Sequence, residues 1–87
     1  MKNTYVLVVD DEYRIRRLVS DFLKREEYRV IEAADGEEAL DIIFESNQKV
    51  DLVILDVMMP KYDGWYVLER IRDFLNTPVI MLTARSD

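Results

Sequence analysis

Four short apolar runs alternate with segments of helical period, and this alternation restricts the fold more than any other feature of the chain. Residues 5–9 (YVLVV), 28–32 (YRVIE), 51–55 (DLVIL) and 79–82 (VIML) read as strands. Residues 12–26 read as a helix with Ile15, Leu18, Val19, Phe22 and Leu23 on one face. Its basic residues Arg14, Arg16, Arg17, Lys24 and Arg25 fall mostly elsewhere and form the expected solvated face. Asp35 followed by Glu38 resembles a capping box, with Asp in place of Ser or Thr, and opens a second helix to about Ser46 that buries Ala39, Leu40 and Ile43. Asp63 is a suitable N-cap for a third helix, with Leu68, Ile71 and Leu75 on its inner face. The order is βαβαβαβ. Apolar strands joined by helices imply a parallel sheet covered on both faces, an α/β doubly wound fold. Gly36 and Gly64, the only glycines, sit at loop or helix-start positions. The 87 residues amount to one small domain, 1–87, with a thin core.

Composition removes whole classes of chemistry. There is no cysteine and no histidine, so disulfides, thiolate zinc sites, iron–sulfur clusters, imidazole ligation and histidine acid/base catalysis are excluded from this chain. Any bound metal must be a hard, oxygen-liking cation such as Mg²⁺, Mn²⁺ or Ca²⁺. The net charge of −6 disfavours non-specific binding to nucleic acid or anionic lipid. No signal peptide is evident, because Asp10 and Asp11 interrupt the only early apolar run, and no apolar stretch approaches the length of a membrane span. A cytoplasmic protein without membrane contact is the expectation.

The strands end on polar groups. Asp10 and Asp11 follow the first strand, Asp56 the third and Thr83 the fourth. In doubly wound folds, ligands bind outside the carboxyl ends of the strands where the strand order reverses. If the first and third strands are neighbours, as in the flavodoxin-like order 2-1-3-4, these groups converge. Two carboxylates ~4 Å apart repel by about 4 kcal/mol at an effective dielectric of 20, and a divalent cation relieves that repulsion. Taken singly, the residues have plainer readings: Asp10–Asp11 as loop acids, Asp56 as an N-cap or Asx-turn at a strand exit, Thr83 as a turn hydroxyl. Met58 and Met59 read as gap-filling packing, and Trp65 and Tyr66 as helix surface and rim.

The segments "VLVVDDE", "LVILDVMMPKYDGW" and "PVIMLTAR" together resemble the response-regulator receiver domain of bacterial two-component signalling, over the whole chain. The motif Asp56-x-x-Met59-Pro60-x-x-Asp63-Gly64, combined with the acid pair after the first strand, carries the resemblance. It implies that Asp56 accepts a phosphoryl group from a sensor histidine kinase. It also implies that Asp10, Asp11, Asp56 and the backbone carbonyl of Met58 hold Mg²⁺ or Mn²⁺. Thr83 becomes the switch hydroxyl and Ala84 donates a backbone N–H to the phosphoryl group. The implied parent is a phosphoprotein of the transcription-regulating kind, with an effector domain, expected to bind DNA, outside this chain. The chain itself is expected to contact no nucleic acid, to need no organic cofactor, and to be no enzyme beyond self-catalysed phosphoryl transfer and slow autodephosphorylation.

Receivers continue into a fourth helix, a fifth strand bearing a lysine and a fifth helix. The resemblance therefore implies the N-terminal portion of a receiver, a sheet truncated before the fifth strand. Lys61, in the loop after the third strand, is a poor substitute for that lysine. An open edge on the fourth strand predicts self-association or exchange of elements between copies. The competing reading is a phosphorylation-independent interaction module of the same fold, against which the intact Asp10, Asp11, Asp56 and Thr83 argue. A phosphohydrolase of the haloacid dehalogenase type wants Asp-x-Asp after the first strand, which Asp10-Asp11-Glu12 misses. Walker-type nucleotide binding lacks its GxxxxGK[ST] loop, and FMN binding lacks a hydroxyl-rich phosphate loop.

Overall fold

A computed structural model describes residues 3–82. The elements run β1 (Tyr5–Val9), α1 (Tyr13–Arg25), β2 (Arg29–Ala33), α2 (Gly36–Glu45), β3 (Leu52–Asp56), α3 (Gly64–Phe74) and β4 (Val79–Leu82). All strand pairs are parallel and the sheet order is β2-β1-β3-β4. This is the predicted α/β flavodoxin-like order, and the first and third strands are neighbours. Among the described residues, β4 pairs only with β3.

The period-2 alternation of the strands sorts their side chains to two faces. Leu7, Val9, Val53 and Leu55 pack with Ala39, Val67 and Ile71 against α2 and α3. Val6, Val8 and Ile54 face the other way, where Val19 and Leu23 of α1 cover them. Leu7 and Leu55 are fully buried, and each such side chain contributes roughly 1.5–3 kcal/mol by leaving water.

The helix ends follow their sequence signals. Asp35 accepts from the Glu38 amide at 2.8 Å, while the Glu38 carboxylate reaches back to the Ala34 amide at 2.8 Å. The reciprocal bond thus lands one residue earlier than in a standard capping box. Asp63 accepts from the Tyr66 amide at 2.9 Å. After α1, the Tyr28 amide donates to the Leu23 carbonyl and the Glu27 amide to that of Lys24, a Schellman ending with Glu27 in the left-handed region at φ 70°.

Both glycines start helices at points of close approach. A Cβ on Gly36 would lie 2.5 Å from the Tyr62 carbonyl oxygen and 2.8 Å from a Val67 methyl. A Cβ on Gly64 would lie 2.5 Å from the carbonyl oxygen of Asp56.

The face of α1 corrects the sequence reading. Val19 and Leu23 pack on the sheet as expected, but Leu18 is 65% exposed, and Phe22 and Ile15 are also exposed. The stripe that meets the sheet is Arg16, Val19, Ser20 and Leu23, one register round the helix from the most apolar stripe. The apolar arc of α1 is wider than its contact with the sheet, so half of it faces out. Arg16 is accordingly not on a solvated face, since its side chain is only 13% exposed. In α3 the inner face is Val67, Leu68 and Ile71, whereas Leu75 is exposed at the helix end. Met59 fills the core as predicted, but Met58 lies exposed.

Ser20 is fully buried, and its hydroxyl is the one buried side-chain polar atom among the described residues without a protein partner. Ser20→Ala is expected to raise stability by about 1 kcal/mol, because it removes an unsatisfied hydroxyl and improves helix propensity. Gly64→Ala is expected to lower stability by roughly 2 kcal/mol or more, since backbone rather than a flexible side chain must give way. Urea unfolding of both variants measures these changes.

Candidate functional site

The register of the central strands builds the site. Val9 of β1 pairs with Leu55 of β3, so the next residues along, Asp10 and Asp56, emerge side by side at the carboxyl end of the sheet. Asp10 is anchored there by its amide, which donates to the Ala33 carbonyl at the end of β2 (3.2 Å). Asp56 is the last residue of β3 and pairs with Leu82 of β4. Asp11 follows Asp10 into solvent. Carboxylate oxygens of Asp10, Asp11 and Asp56 all lie within 4.8 Å of one another. Three acids separated in sequence thus form one pocket, with Asp10 and Asp56 buried and Asp11 exposed.

The electrostatics are those of a pocket that resists its own charge. Burial pushes the Asp10 carboxyl above its ordinary range; the bond from the Glu12 amide works against this, and neighbouring Asp11 adds to it. Burial also raises Asp56, and the nearby Asp10 charge raises it further, while the Met58 amide lowers it. Oxygen-only donors, mixed burial and close spacing fit a hard divalent cation that keeps some of its waters.

Two loops shape the rim. Asp10 Oδ1 accepts the Glu12 amide at 2.9 Å, an Asx-turn that leads the chain into α1. Glu12, the N-cap of α1, makes no side-chain cap bond of its own. Beyond β3, the Met58 amide points at Asp56 Oδ1 from 3.4 Å, and the Gly64 amide donates to the Val57 carbonyl at 2.9 Å. The loop therefore folds back over Asp56 at the point where Gly64 leaves no room for a side chain. Lys61 occupies this loop with φ 64° and is exposed. Trp65 is 60% exposed and lines a shallow cleft with Val57, Met58, Met59, Pro60 and Asp63. Thr83 and Ala84 lie outside the described residues.

One part of the site escaped the sequence reading. The Arg16 guanidinium donates to the backbone carbonyl of Asp10 at 2.7 Å and to Glu32 of β2 at 3.0 Å. The signal for it was available: Arg16 shares the 16-19-20-23 spacing of the sheet-facing stripe, and Glu32 is the only acid within β2.

The model of the family described as "Response regulator receiver domain" matches residues 6–87. The chain is 50% identical over 84 residues to the transcriptional regulatory protein ResD of Bacillus subtilis, covering 97% of this chain and 34% of that protein. It is 43% identical over 82 residues to the transcriptional regulatory protein SrrA of Staphylococcus aureus, covering 94% of this chain and 33% of that protein. The chain therefore spans about a third of the length of these relatives. Among solved structures, the response regulator TrrA of Thermotoga maritima, in complex with Mg²⁺–BeF, superposes with a TM-score of 0.87 at 44% identity, covering 95% of this chain and 71% of that one. The receiver domain of a Francisella response regulator superposes with a TM-score of 0.88 at 35% identity, covering 98% of this chain and 69% of that one. With its sheet order, its acidic pocket and the family match over nearly all its residues, the chain belongs to the response regulator receiver domain family.

Proposed function

We propose that this chain is the phospho-accepting part of a two-component response regulator, in which Asp56 takes a phosphoryl group from a sensor histidine kinase. The observation that carries this reading is the gathering of Asp10, Asp11 and Asp56 within 4.8 Å, with Asp56 buried at a strand end. Asp10, Asp11, Asp56 and the Met58 carbonyl are the residues that would hold Mg²⁺ or Mn²⁺. When bound, the cation neutralises the pocket and screens the negative charge of an incoming phosphoryl donor.

The chain's own residues account for the rest. Asp56 supplies the attacking oxygen; its bond to phosphorus forms as the donor's phosphorus–nitrogen bond breaks, and the donor imidazole keeps the electron pair. Asp10 and Asp11 need not exchange protons, because phosphoryl transfer relies on positioning and charge stabilisation. The β3–α3 loop, fixed by the Gly64–Val57 bond, sets the approach to Asp56. Modification replaces roughly one negative charge at Asp56 by about two and adds acceptor oxygens. Thr83 and Ala84 are the proposed donors to those oxygens. Slow hydrolysis of the acyl phosphate resets the site, so the chain turns over no separate substrate.

The names of ResD and SrrA support a parent that regulates transcription; a DNA-binding effector domain outside this chain is part of the proposal. The net charge of −6 disfavours non-specific binding of this chain to nucleic-acid phosphates. No helix among the described residues is long and apolar enough to cross a membrane.

The raised carboxyls fix the sign of a pH effect. The folded chain holds protons on Asp10 and Asp56 more tightly than the unfolded chain, whose carboxyls titrate near 3.8. Between that value and the raised folded values, stability contributed by these groups falls as pH rises, and above the window the full repulsion remains. In EDTA at pH 7, Asp56→Asn is expected to be more stable than the wild type by on the order of 1 kcal/mol, with a smaller gain at pH 4. Urea unfolding at the two values measures this. Mg²⁺ at a hundredfold its dissociation constant is expected to stabilise the wild type by about 2.7 kcal/mol, and Asp56→Asn by clearly less.

The direct test is incubation with acetyl phosphate and Mg²⁺, followed by mass spectrometry. The wild type is expected to gain one phosphoryl group, lost on mild alkaline treatment, and Asp56→Asn none. Beryllofluoride with Mg²⁺ should change Trp65 fluorescence in the wild type alone. A variant that is labelled as readily as the wild type would remove Asp56 from its proposed role and favour the phosphorylation-independent interaction module.

A further inference from the structure

We propose that Arg16, held by Glu32, is a positioning residue for the acidic pocket: it fixes the Asp10 carbonyl and so the direction in which the Asp10 and Asp11 carboxylates point. The proposal rests on the reading of the pocket as a cation site and adds a device that controls how well that site is formed.

The contacts close a ring around three residues. Asp10 Oδ1 accepts the Glu12 amide (2.9 Å), the Glu12 carbonyl accepts the Arg16 amide (3.0 Å), and the Arg16 guanidinium returns to the Asp10 carbonyl (2.7 Å). Helix α1, the acid loop and β2 are thereby tied at one point, because the Arg16 Nε also meets Glu32 Oε1 at 3.0 Å. The second Glu32 oxygen meets Arg17 at 3.2 Å, and the Tyr13 ring lies 5.3 Å from the Arg16 guanidinium carbon. The Arg16 and Glu32 side chains are 13% and 23% exposed, so both are held against the sheet rather than waving in solvent.

The atom that Arg16 chooses matters. A guanidinium on the carboxylates themselves would compete with a cation for the same oxygens. On the backbone carbonyl it leaves the Asp10 and Asp11 carboxylates free, while Glu32 offsets its positive charge. The bond is charge-assisted and constrains the peptide between the two acids directly. Lysine cannot replace this fork, since one ammonium cannot reproduce the planar pair of bonds to a carbonyl and a carboxylate.

Two accounts of Arg16 predict opposite signs. As a mere positive charge near the pocket, its removal would tighten Mg²⁺ binding. As a positioning group, its removal would weaken binding, as for groups that orient metal ligands, by about tenfold or more. The experiment is Mg²⁺ titration by Trp65 fluorescence and by calorimetry on the wild type, Arg16→Met, Arg16→Lys, Glu32→Gln, Arg17→Met and the Arg16→Met/Glu32→Gln pair. Methionine keeps the apolar stem, and cooperative urea unfolding checks that each variant folds. The expected result is a dissociation constant raised about tenfold or more in Arg16→Met, with a smaller rise in Arg16→Lys and Glu32→Gln. The double variant should be no weaker than Arg16→Met alone, because both changes break one clamp. Arg17→Met, which touches Glu32 but not the acid loop, should stay within about twofold of the wild type. In metal-free protein, hydrogen exchange of the Glu12 amide should quicken in Arg16→Met and not in Arg17→Met.

Unchanged Mg²⁺ affinity in Arg16→Met, with only a lowered unfolding midpoint, would reduce Arg16 to a stabilising contact and overturn the proposal. Tighter binding would overturn it in favour of the simple charge. A wild type that gives no Mg²⁺ response by either method would instead sink the cation-site reading itself, and the positioning role with it.

Discussion

Mutual repulsion among three carboxylates is the condition to which the rest of the molecule answers. Parallel pairing of β1 with β3 leaves Asp10 and Asp56 no choice of position: once Val9 and Leu55 are in register, the next residue on each strand must emerge beside the other. The apolar interiors of the two strands enforce that register, since a slip of one residue would turn Leu7, Val9, Val53 and Leu55 to the wrong face. Core burial therefore holds the acids together against their charge. The same burial that stabilises the sheet raises the carboxyls of Asp10 and Asp56, so the fold and the chemistry draw on one set of contacts in opposite directions.

The surroundings share out the acids' remaining bonds economically. Asp10 uses one carboxylate oxygen to start α1 through the Glu12 amide, and its carbonyl to receive Arg16. Among the described residues, the Asp56 carboxylate meets the backbone amides of Met58, at a long 3.4 Å, and Val57. Asp11, the exposed member, is not buried. The three acids thus differ in how firmly they are fixed, with Asp10 the most constrained and Asp11 the least.

Much of this was legible in the sequence, for identifiable reasons. The strands were visible because buried parallel strands are continuous apolar runs, and their limits moved by only a residue. The convergence of Asp10, Asp11 and Asp56 followed from strand-end placement and the assumed strand order. Helix α1 was misread because hydrophobicity marks what a helix could bury, not what its neighbours offer to cover. Leu18 and Phe22 are more apolar than Ser20 and Arg16, yet the sheet meets the latter pair. Arg16 was hidden for a related reason: a charged residue counts as solvent-facing until a partner such as Glu32 is known to sit across from it, and that partner lies on a different element. Met58 and Met59 divided because neighbouring loop residues point in opposite directions, which composition does not reveal.

The two glycines leave the β3–α3 loop without slack. Behind it, Tyr62 rests on Gly36 at the start of α2, and beneath it Gly64 rests on the Asp56 carbonyl. Packed matter of this density passes displacement on rather than absorbing it. A shift of the loop inward would have to carry the first turn of α2 with it, and a shift downward would strain the peptide of Asp56 itself. The unblocked direction is outward, past the exposed side chains of Met58 and Lys61. The loop accordingly behaves as a stiff lintel over the pocket, and accommodation of a bulkier guest falls to its outer edge.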